Sequence, residues 1–248
     1  MSHGSAEEPP PTVAARRSWR HGLTNLVRSE RRQVEGVISR LLESRAVVAR
    51  RDGKLHELFP VGIPSREGDA LRAWVRREAA VSTIEVGLGY GISALFICDG
   101  LLANGHPNAR HVALDPNQSA SFSDVGLQVV DEAGAAGLLE FHGERSEIAL
   151  PRFLASGRSF DLAFIDGNHR FEGVFLDLIY LGRLVRGGGV ILLDDYQLPS
   201  VKTAVRFSLS NLGWGLEEEG TADERHHWAV LRTQATPLER RFDHFIDF

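Results

Sequence analysis

Short apolar segments alternate with helix-like segments along most of this chain. The apolar runs span residues 81–86, 111–114, 138–141, 162–165 and 190–193. Between them, apolar positions recur at steps of three and four residues in the segments 93–102, 123–133, 146–154 and 171–184. Strand and helix in regular alternation predict a parallel sheet covered by helices on both faces. The runs are nearly all apolar, as strands buried on both sides should be.

The last fifth of the chain predicts a different arrangement of strands. A helix-like segment, 201–212, precedes two strand-like segments, 215–219 and 228–231. A short, polar, turn-like segment separates the two strands, so we expect an antiparallel pair at the edge of the sheet. The predicted fold is therefore α/β, a Rossmann-like, doubly wound sheet of seven mostly parallel strands with an N-terminal helical extension.

The N-terminal third does not continue this alternation. Residues 1–17 are polar and rich in proline, and we expect a disordered tail there. Residues 18–49 have helical periodicity, and 55–68 contain the prolines and glycines of a loop. We therefore divide the chain into the tail, a helical extension at 18–68 that covers the ligand-binding edge, and a main domain at 69–248.

Composition limits the class of protein. The chain has 248 residues, of which 43% are hydrophobic and 25% charged, as in ordinary globular proteins. One cysteine, Cys98, excludes an intramolecular disulfide and agrees with a reducing compartment. There is no apolar run of about 18 residues that predicts a membrane helix. The N-terminus also lacks the order of a signal peptide, so we expect a cytoplasmic protein with no membrane partner.

Charge is distributed unevenly along the chain. The net charge is −5, yet residues 16–54 contain 11 basic and 4 acidic side chains. We expect this basic face to pack on the acidic body of the same chain or of a second subunit in a homo-oligomer. A nucleic-acid partner is not expected, because neither an aromatic stacking platform nor a nucleic-acid motif accompanies the basic residues.

A glycine-rich loop follows the first strand of the main domain. Gly87, Gly89 and Gly91 stand between an apolar strand and a helix, where ligands bind in doubly wound sheets. A dinucleotide fingerprint needs G-x-G-x-x-G, and here Ile92 occupies the place of its third glycine. Glu85 at the end of the strand suits the cationic amino-acid end of S-adenosylmethionine (SAM), directly or through water, better than a pyrophosphate. The loop therefore favours SAM over NAD.

The ends of the next two strands offer further contacts for such a cofactor. Asp115 ends the second strand, where an acid can accept hydrogen bonds from both ribose hydroxyls. Gly143 and Glu144 follow the third strand, at a place where backbone and short polar groups could line an adenine. We therefore assign these three residues to cofactor binding, together with Glu85 and the glycine loop.

Three aspartates end the fourth and fifth strands. Asp166 follows one strand, and Asp194 and Asp195 follow the other. Carboxylates that meet at one edge repel each other unless a cation or protons intervene, and their oxygens favour Mg²⁺ or Ca²⁺. We assign all three to a metal site and Asp166 also to cofactor binding and catalysis. His169, three residues further on, is the candidate general base.

These motifs together resemble a known family. From residue 84 to 232 the chain is similar to class I SAM-dependent methyltransferases. The pattern I-D-G-x-H at 165–169, a helix with Asp177, G-G at 188–189 and D-D-Y at 194–196 resembles the small-molecule branch, in particular macrocin-type O-methyltransferases that act on macrolide sugars. The resemblance implies Mg²⁺ at the three aspartates, bound to vicinal sugar oxygens. It also implies SAM contacts at Glu85, Gly87 and Asp115.

The expected activity is therefore methyl transfer from SAM to a hydroxyl of a sugar-bearing or polyhydroxylated small molecule, assisted by Mg²⁺. Three alternatives stay open. One is a metal-independent N- or O-methyltransferase that uses His169 as its base. Another is a non-catalytic SAM-binding protein that docks through its basic helix. The third is a NAD-dependent oxidoreductase, which Ile92 disfavours because it replaces the third glycine of the dinucleotide fingerprint.

Overall fold

The computed structural model describes residues 13–236 and 241–248, and the side chains of the first helix from Val27 onward. Within these residues the helices are α1 (Val13–Ser44), α2 (Ser65–Arg77), α3 (Ile92–Asn104), α4 (Gln118–Ser121), α5 (Val125–Glu132), α6 (Ser146–Ala155), α7 (Phe171–Leu184) and α8 (Pro199–Leu212). The strands are β1 (Ala46–Val48), β2 (Leu55–Glu57), β3 (Ser82–Val86), β4 (Arg110–Leu114), β5 (Leu139–His142), β6 (Phe160–Ile165), β7 (Val185–Leu193), β8 (Gly215–Thr221) and β9 (His227–Arg232). None of the helices described here combines the length and the apolar character needed to cross a bilayer.

Seven strands form one sheet in the order β5-β4-β3-β6-β7-β9-β8. The five strands from β5 to β7 are parallel, and β9 runs antiparallel to its neighbours β7 and β8. The predicted fold, a doubly wound sheet of seven mostly parallel strands, is confirmed. The C-terminal antiparallel pair is also confirmed, with β8 at the edge.

The register of the parallel strands brings their carboxyl ends to one level. Val86, the last residue of β3, lies opposite Leu114 of β4 and Ile165 of β6. Ile165 in turn lies opposite Leu193, the last residue of β7. The segments that follow these four strands therefore meet along a single edge, which is where ligands bind in such sheets.

Two apolar cores cover the faces of the sheet. On one face, α1, α2, α3 and α5 pack against Phe164 and Leu192. On the other, α6, α7 and α8 pack against Ile84 and Ile191. All five residues of β3 are buried, as both cores require of a central strand.

The N-terminal third differs in detail from the prediction. The first helix begins at Val13, so residues 13–17 of the predicted tail are helical, and residues 1–12 lie outside the described part of the chain. The helix ends at Ser44, and residues 46–48 pair with β2 in a small hairpin instead of continuing it. Valines at 47 and 48 favour a strand, and Asp52-Gly53 favours the turn. The boundary drawn at 68/69 falls inside α2.

Arginines of the basic N-terminal segment form ion pairs with acidic side chains of the same chain. Arg31 donates from Nε to Asp99 of α3 at 2.8 Å, and Asp99 is fully buried. Arg40 pairs with Glu132, and Arg50 pairs with Asp131 at 2.7 Å. These contacts support the interpretation that the basic stretch packs on the acidic body of the chain.

Candidate active site

The glycine loop lies between β3 and α3, as the sequence predicts. Its three glycines have positive φ values of 98°, 51° and 80° at Gly87, Gly89 and Gly91. The closest approach is at Gly87, where a Cβ atom would lie 2.0 Å from the carbonyl oxygen of Asp166. The loop is therefore pressed against the end of β6, and only glycine fits at that position.

A cavity of about 950 Å³ opens beside this loop. The ends of β3, β4, β6 and β7 form its floor, and the segments 60–63 and 224–226 form part of its walls. The sequence-predicted residues in its lining are Gly87, Gly89, Asp115, Asp166, His169, Asp194 and Asp195. Gly91 is at the N-terminus of α3, between the lining residues Tyr90 and Ile92.

Asp115 lies where a ribose-binding acid was predicted. It is 3% exposed, and its Oδ2 accepts a hydrogen bond from the backbone N–H of Gly89 at 2.9 Å. Gln118 donates to the same oxygen at 3.1 Å, and the N–H of Asn117 donates to Oδ1 at 2.8 Å. Asp115 thus ties the glycine loop to the end of β4 and keeps its carboxylate beside the cavity.

Glu85, predicted to contact the cofactor directly or through water, does not line the cavity. Its side chain is fully buried, Ser93 donates to its Oε2 at 2.8 Å, and its Oε1 lies 3.1 Å from Nε2 of His111. The reason is the alternation of side chains along a strand. Glu85 points to the α3 face of the sheet, while Ile84 and Val86 point to the opposite core. Glu85 therefore lies behind the glycine loop, where it accepts the hydrogen bond of Ser93 in α3.

The residues that line the cavity after β5 come slightly later in the sequence than the predicted cofactor contacts. Gly143 and Glu144 are not part of the cavity lining, and Glu144 instead accepts a hydrogen bond from Arg152 at 2.8 Å. The lining at this point consists of Arg145, Ser146 and Glu147, at the N-terminus of α6. The strand extends to His142, one residue further than predicted, so its end and the following turn lie later in the sequence.

Asp166, His169 and Asp195 form a compact polar cluster in the cavity. Nδ1 of His169 lies 2.8 Å from Asp195, and Nε2 lies 3.5 Å from Asp166. One ligand atom from each of the three residues lies within 4.8 Å of the other two, close enough to hold one metal ion. The carboxylates of Asp166 and Asp195 raise the pKa of His169 to about 10. In this arrangement the imidazolium ring bridges the two carboxylates.

Asp194 lines the cavity but is not part of that cluster. Its Oδ1 accepts a hydrogen bond from the N–H of Asp195 at 2.6 Å, and its carboxyl group faces Glu67 of α2. Glu67 is 2% exposed. Burial, and then the neighbouring carboxylates, raise the pKa of both Glu67 and Asp194. The site therefore contains two acidic layers, an outer one around His169 and an inner one at Glu67 and Asp194.

Sequence reasoning missed Glu67, although one signal was available. On α2, Leu71, Trp74 and Val75 form a buried apolar stripe, and Glu67 lies one turn before Leu71 on the same face. A carboxylate on the buried face of an amphipathic helix needs a partner, and this pattern indicates a polar site beneath the helix.

Comparison with known proteins agrees with this geometry. Residues 84–196 match the family model described as a methyltransferase domain. Comparison with curated proteins gives no significant match. Among solved structures, the SAM complex of the O-methyltransferase TomG from Streptomyces achromogenes, involved in tomaymycin synthesis, has a TM-score of 0.62 at 20% identity. The match covers 80% of this chain and 89% of TomG.

Two further structures have the same fold. An O-methyltransferase from Bacillus cereus in complex with S-adenosylhomocysteine (SAH) has a TM-score of 0.61 at 16% identity, over 82% of this chain and 91% of that one. Cofactor-bound Rv0187 from MTB has a TM-score of 0.61 at 20% identity, over 73% and 85%. The family match covers the strands that build the cavity, from β3 to the end of β7. Residues 84–196 therefore match a methyltransferase domain, and the chain has the fold of these SAM- and SAH-bound proteins.

Proposed function

We propose that this protein transfers the methyl group of SAM to a hydroxyl oxygen of a sugar-bearing or polyhydroxylated small molecule, with Mg²⁺ at the acidic cluster. The observation that carries the proposal is the cluster of Asp166, His169 and Asp195 in the same cavity as the glycine loop. An acceptor hydroxyl bound at this cluster lies beside the cofactor crevice. TomG and the Bacillus cereus protein are both named O-methyltransferases, which supports oxygen as the acceptor atom.

The chemistry of the cluster fits a hard divalent cation. Its donors are mainly carboxylate oxygens, which Mg²⁺ prefers, and they are close enough together to share one ion. Asp166 and Asp195 would hold the cation, with Asp194 directly behind them as a third acid. A bound divalent cation lowers the pKa of the acceptor hydroxyl and fixes its orientation.

Asp166 connects the two halves of the proposed site. Its carbonyl oxygen is in the close contact beneath Gly87, and its N–H donates to the carbonyl of Val86 at 2.9 Å. Its carboxylate belongs to the acidic cluster. One residue thus fixes the distance between the cofactor loop and the acceptor-binding acids. Such alignment supplies a large part of the acceleration in a displacement reaction.

Two of the three alternatives, the metal-independent transferase and the non-catalytic docking protein, have less support. As a metal-independent base, His169 needs a free ring nitrogen, and both of its nitrogens face carboxylates. A non-catalytic docking protein needs a free basic helix, whereas Arg31 and Arg40 of α1 are paired with acids of the same chain. The geometry therefore favours cation-assisted transfer to oxygen.

The test is SAH formation with a panel of glycosides and polyhydroxylated acceptors. We expect turnover that stops on exhaustive chelation and returns with Mg²⁺. Asp195→Asn should lose at least 100-fold of the rate while it still binds SAH, because the acceptor side alone is changed. Asp247→Asn, at an exposed acid near the C-terminus, is the matched control and should retain full activity.

Two results would contradict this function. Full activity after chelation would favour the metal-independent alternative with His169. Binding of SAM without turnover under any condition, with partner binding retained in Asp166→Ala and Asp194→Ala variants, would favour a non-catalytic interaction protein.

A further inference from the structure

Two arginines, Arg170 and Arg225, line the same cavity as the acidic cluster. Both residues are exposed, and neither side chain forms an ion pair, a hydrogen bond or an aromatic contact with any described residue. Two acids stand close to them in the sequence, Glu172 and Glu224, yet within the described chain neither acid pairs with either arginine. A guanidinium has five N–H donors and no acceptor, so two of them in one cavity suit an anionic group of a ligand.

Arg170 is positioned by the segment that carries part of the acidic cluster. It directly follows His169 and is the N-cap residue of α7. Its backbone N–H donates to the side-chain oxygen of Asn168 at 3.1 Å, and Ser200 of α8 donates to the carbonyl oxygen of His169 at 2.6 Å. The backbone beside Arg170 is therefore held to α8, while its side chain is free to meet a ligand.

Arg225 lies in the turn between β8 and β9, and this turn is also held by hydrogen bonds. The backbone N–H of Arg225 donates to Oδ1 of Asp223 at 2.8 Å. Gln197 donates from Nε2 both to the carbonyl oxygen of Arg225 and to Oδ1 of Asp195, the latter at 2.6 Å. One amide thus links the turn that carries Arg225 to an acid of the cluster.

The topology of the sheet places the two arginines around the end of β7. β7 lies between β6 and β9, and it ends just before Asp194 and Asp195. Arg170 follows β6, and Arg225 precedes β9, which runs antiparallel to β7. The two segments therefore flank the strand end at which the acceptor is proposed to bind. Arginine keeps its charge at every physiological pH and binds carboxylates and phosphates through paired N–H···O bonds.

We propose that Arg170 and Arg225 bind an anionic group, a carboxylate or a phosphate, on the methyl acceptor. The substrate class is then an acidic polyhydroxylated molecule, such as a sugar acid or a sugar phosphate. The inference rests on the proposed function, since it requires that the acceptor binds at the acidic cluster. The two arginines orient the acceptor through its charge, and the acids beside them orient its hydroxyl.

The test is calorimetric titration of the SAH-bound protein, with Mg²⁺ present, using three sugars as probes. Methyl glucuronide carries a carboxylate, glucose 6-phosphate carries a phosphate, and methyl glucoside is neutral. At least one of the two anionic sugars should bind 10-fold or more tightly than the glucoside, and the better one identifies the anion. Arg170→Gln and Arg225→Gln should each weaken its binding at least 10-fold. The affinity for SAH should stay within twofold in both variants.

Arg183→Gln is the matched control. Arg183 is an exposed arginine on the same helix as Arg170, it is not part of the cavity lining, and its side chain has no partner among the described residues. R183Q should bind all three sugars as the unchanged protein does. Two readouts exclude a merely structural role. In turnover, R170Q and R225Q should raise KM for the acidic acceptor more than they lower kcat, and added salt should weaken its binding to the unchanged protein but not to the variants.

Three outcomes would overturn the inference. One is that neither anionic sugar binds more tightly than the glucoside. Another is a charge preference that survives in R170Q and R225Q, because the cation alone would then attract the anion. The third is a 10-fold loss of SAH affinity in either variant, because that arginine would then hold the carboxylate of the cofactor.

Failure of the proposed function gives a different result. Methyl transfer to neutral acceptors only, stopped by chelation, would keep the proposed function and overturn this inference. Arginine-dependent binding of an anionic sugar, with no SAH formed from any acceptor, would contradict the proposed function and still support the anion site.

Discussion

Gly87 and Gly89 lie two residues apart in the cofactor loop, yet replacing them with alanine should have very different effects. Both have positive φ values, so alanine at either position costs about 1–2 kcal/mol in backbone strain. At Gly89 the nearest atom to a new Cβ is a methyl carbon of Val61 at 3.7 Å, an ordinary contact. At Gly87 the new Cβ would lie 2.0 Å from the carbonyl oxygen of Asp166.

The overlap at Gly87 must be relieved by moving β3 and β6 apart. Forcing an extra carbon into a packed site adds about 1–3 kcal/mol to the strain. The total for Gly87→Ala is therefore about 2–5 kcal/mol, against about 1–2 kcal/mol for Gly89→Ala. In a protein of this size, 1 kcal/mol corresponds to about 2–4 °C in melting temperature. At the middle of these ranges we expect losses of about 10 °C for Gly87→Ala and about 4 °C for Gly89→Ala.

The assay is thermal unfolding of both variants without ligand, followed by calorimetric titration with SAH at a temperature where both are folded. Gly87→Ala should also lose SAH binding, because the shift moves Asp166 away from the loop. Equal losses of stability in the two variants would refute the reasoning. They would show that the close approach of Asp166 adds no strain beyond that of the positive φ values.

Two predictions concern buried acids outside the cofactor loop. Asp99 accepts hydrogen bonds from Arg31 at 2.8 Å and Arg72 at 3.1 Å, so Asp99→Asn should lower the free energy of unfolding by about 3 kcal/mol. It should also expose α1 to protease, and unchanged stability would show that the two arginines contribute nothing. Burial raises the pKa of Asp177 to about 7, above its value of 3.8 in the unfolded chain, so its ionisation favours unfolding. The free energy of unfolding therefore falls as the pH rises from about 4 to about 7, because the unfolded chain ionises first. Asp177→Asn should stabilise the protein at pH 8 by on the order of 3 kcal/mol and have little effect at pH 4. Equal melting-temperature shifts at the two pH values would contradict this origin.

The features that sequence predicted correctly follow from local periodicity and from the geometry of parallel sheets. Alternating strands and helices specify the sheet, and the ends of its parallel strands share one edge. For this reason the sequence alone predicts that Asp115, Asp166 and Asp195 lie along one edge of the sheet. The glycine loop was equally predictable, because positive φ values at a strand-to-helix turn favour glycine.

The features that were missed depend on orientation and on contacts distant in sequence. Glu85 ends up behind the loop because side chains alternate between the two faces of a strand. The helix expected at 123–133 begins only at Val125, as α5, since Ser123 and Asp124 take left-handed conformations that periodicity does not reveal. Glu67 joins the acidic cluster only because α2 folds over the sheet edge, and no pattern near Asp194 indicates it.

The central claim is that the crevice beside Gly87 and Asp115 binds SAM. Calorimetric titration of the intact protein with SAH tests it most directly, with NADH as the comparison ligand. We predict one SAH per chain, no NADH binding, and at least a 10-fold weaker affinity for SAH in Asp115→Ala. A folded protein that gives no heat with SAH, or binds NADH instead, would contradict the account.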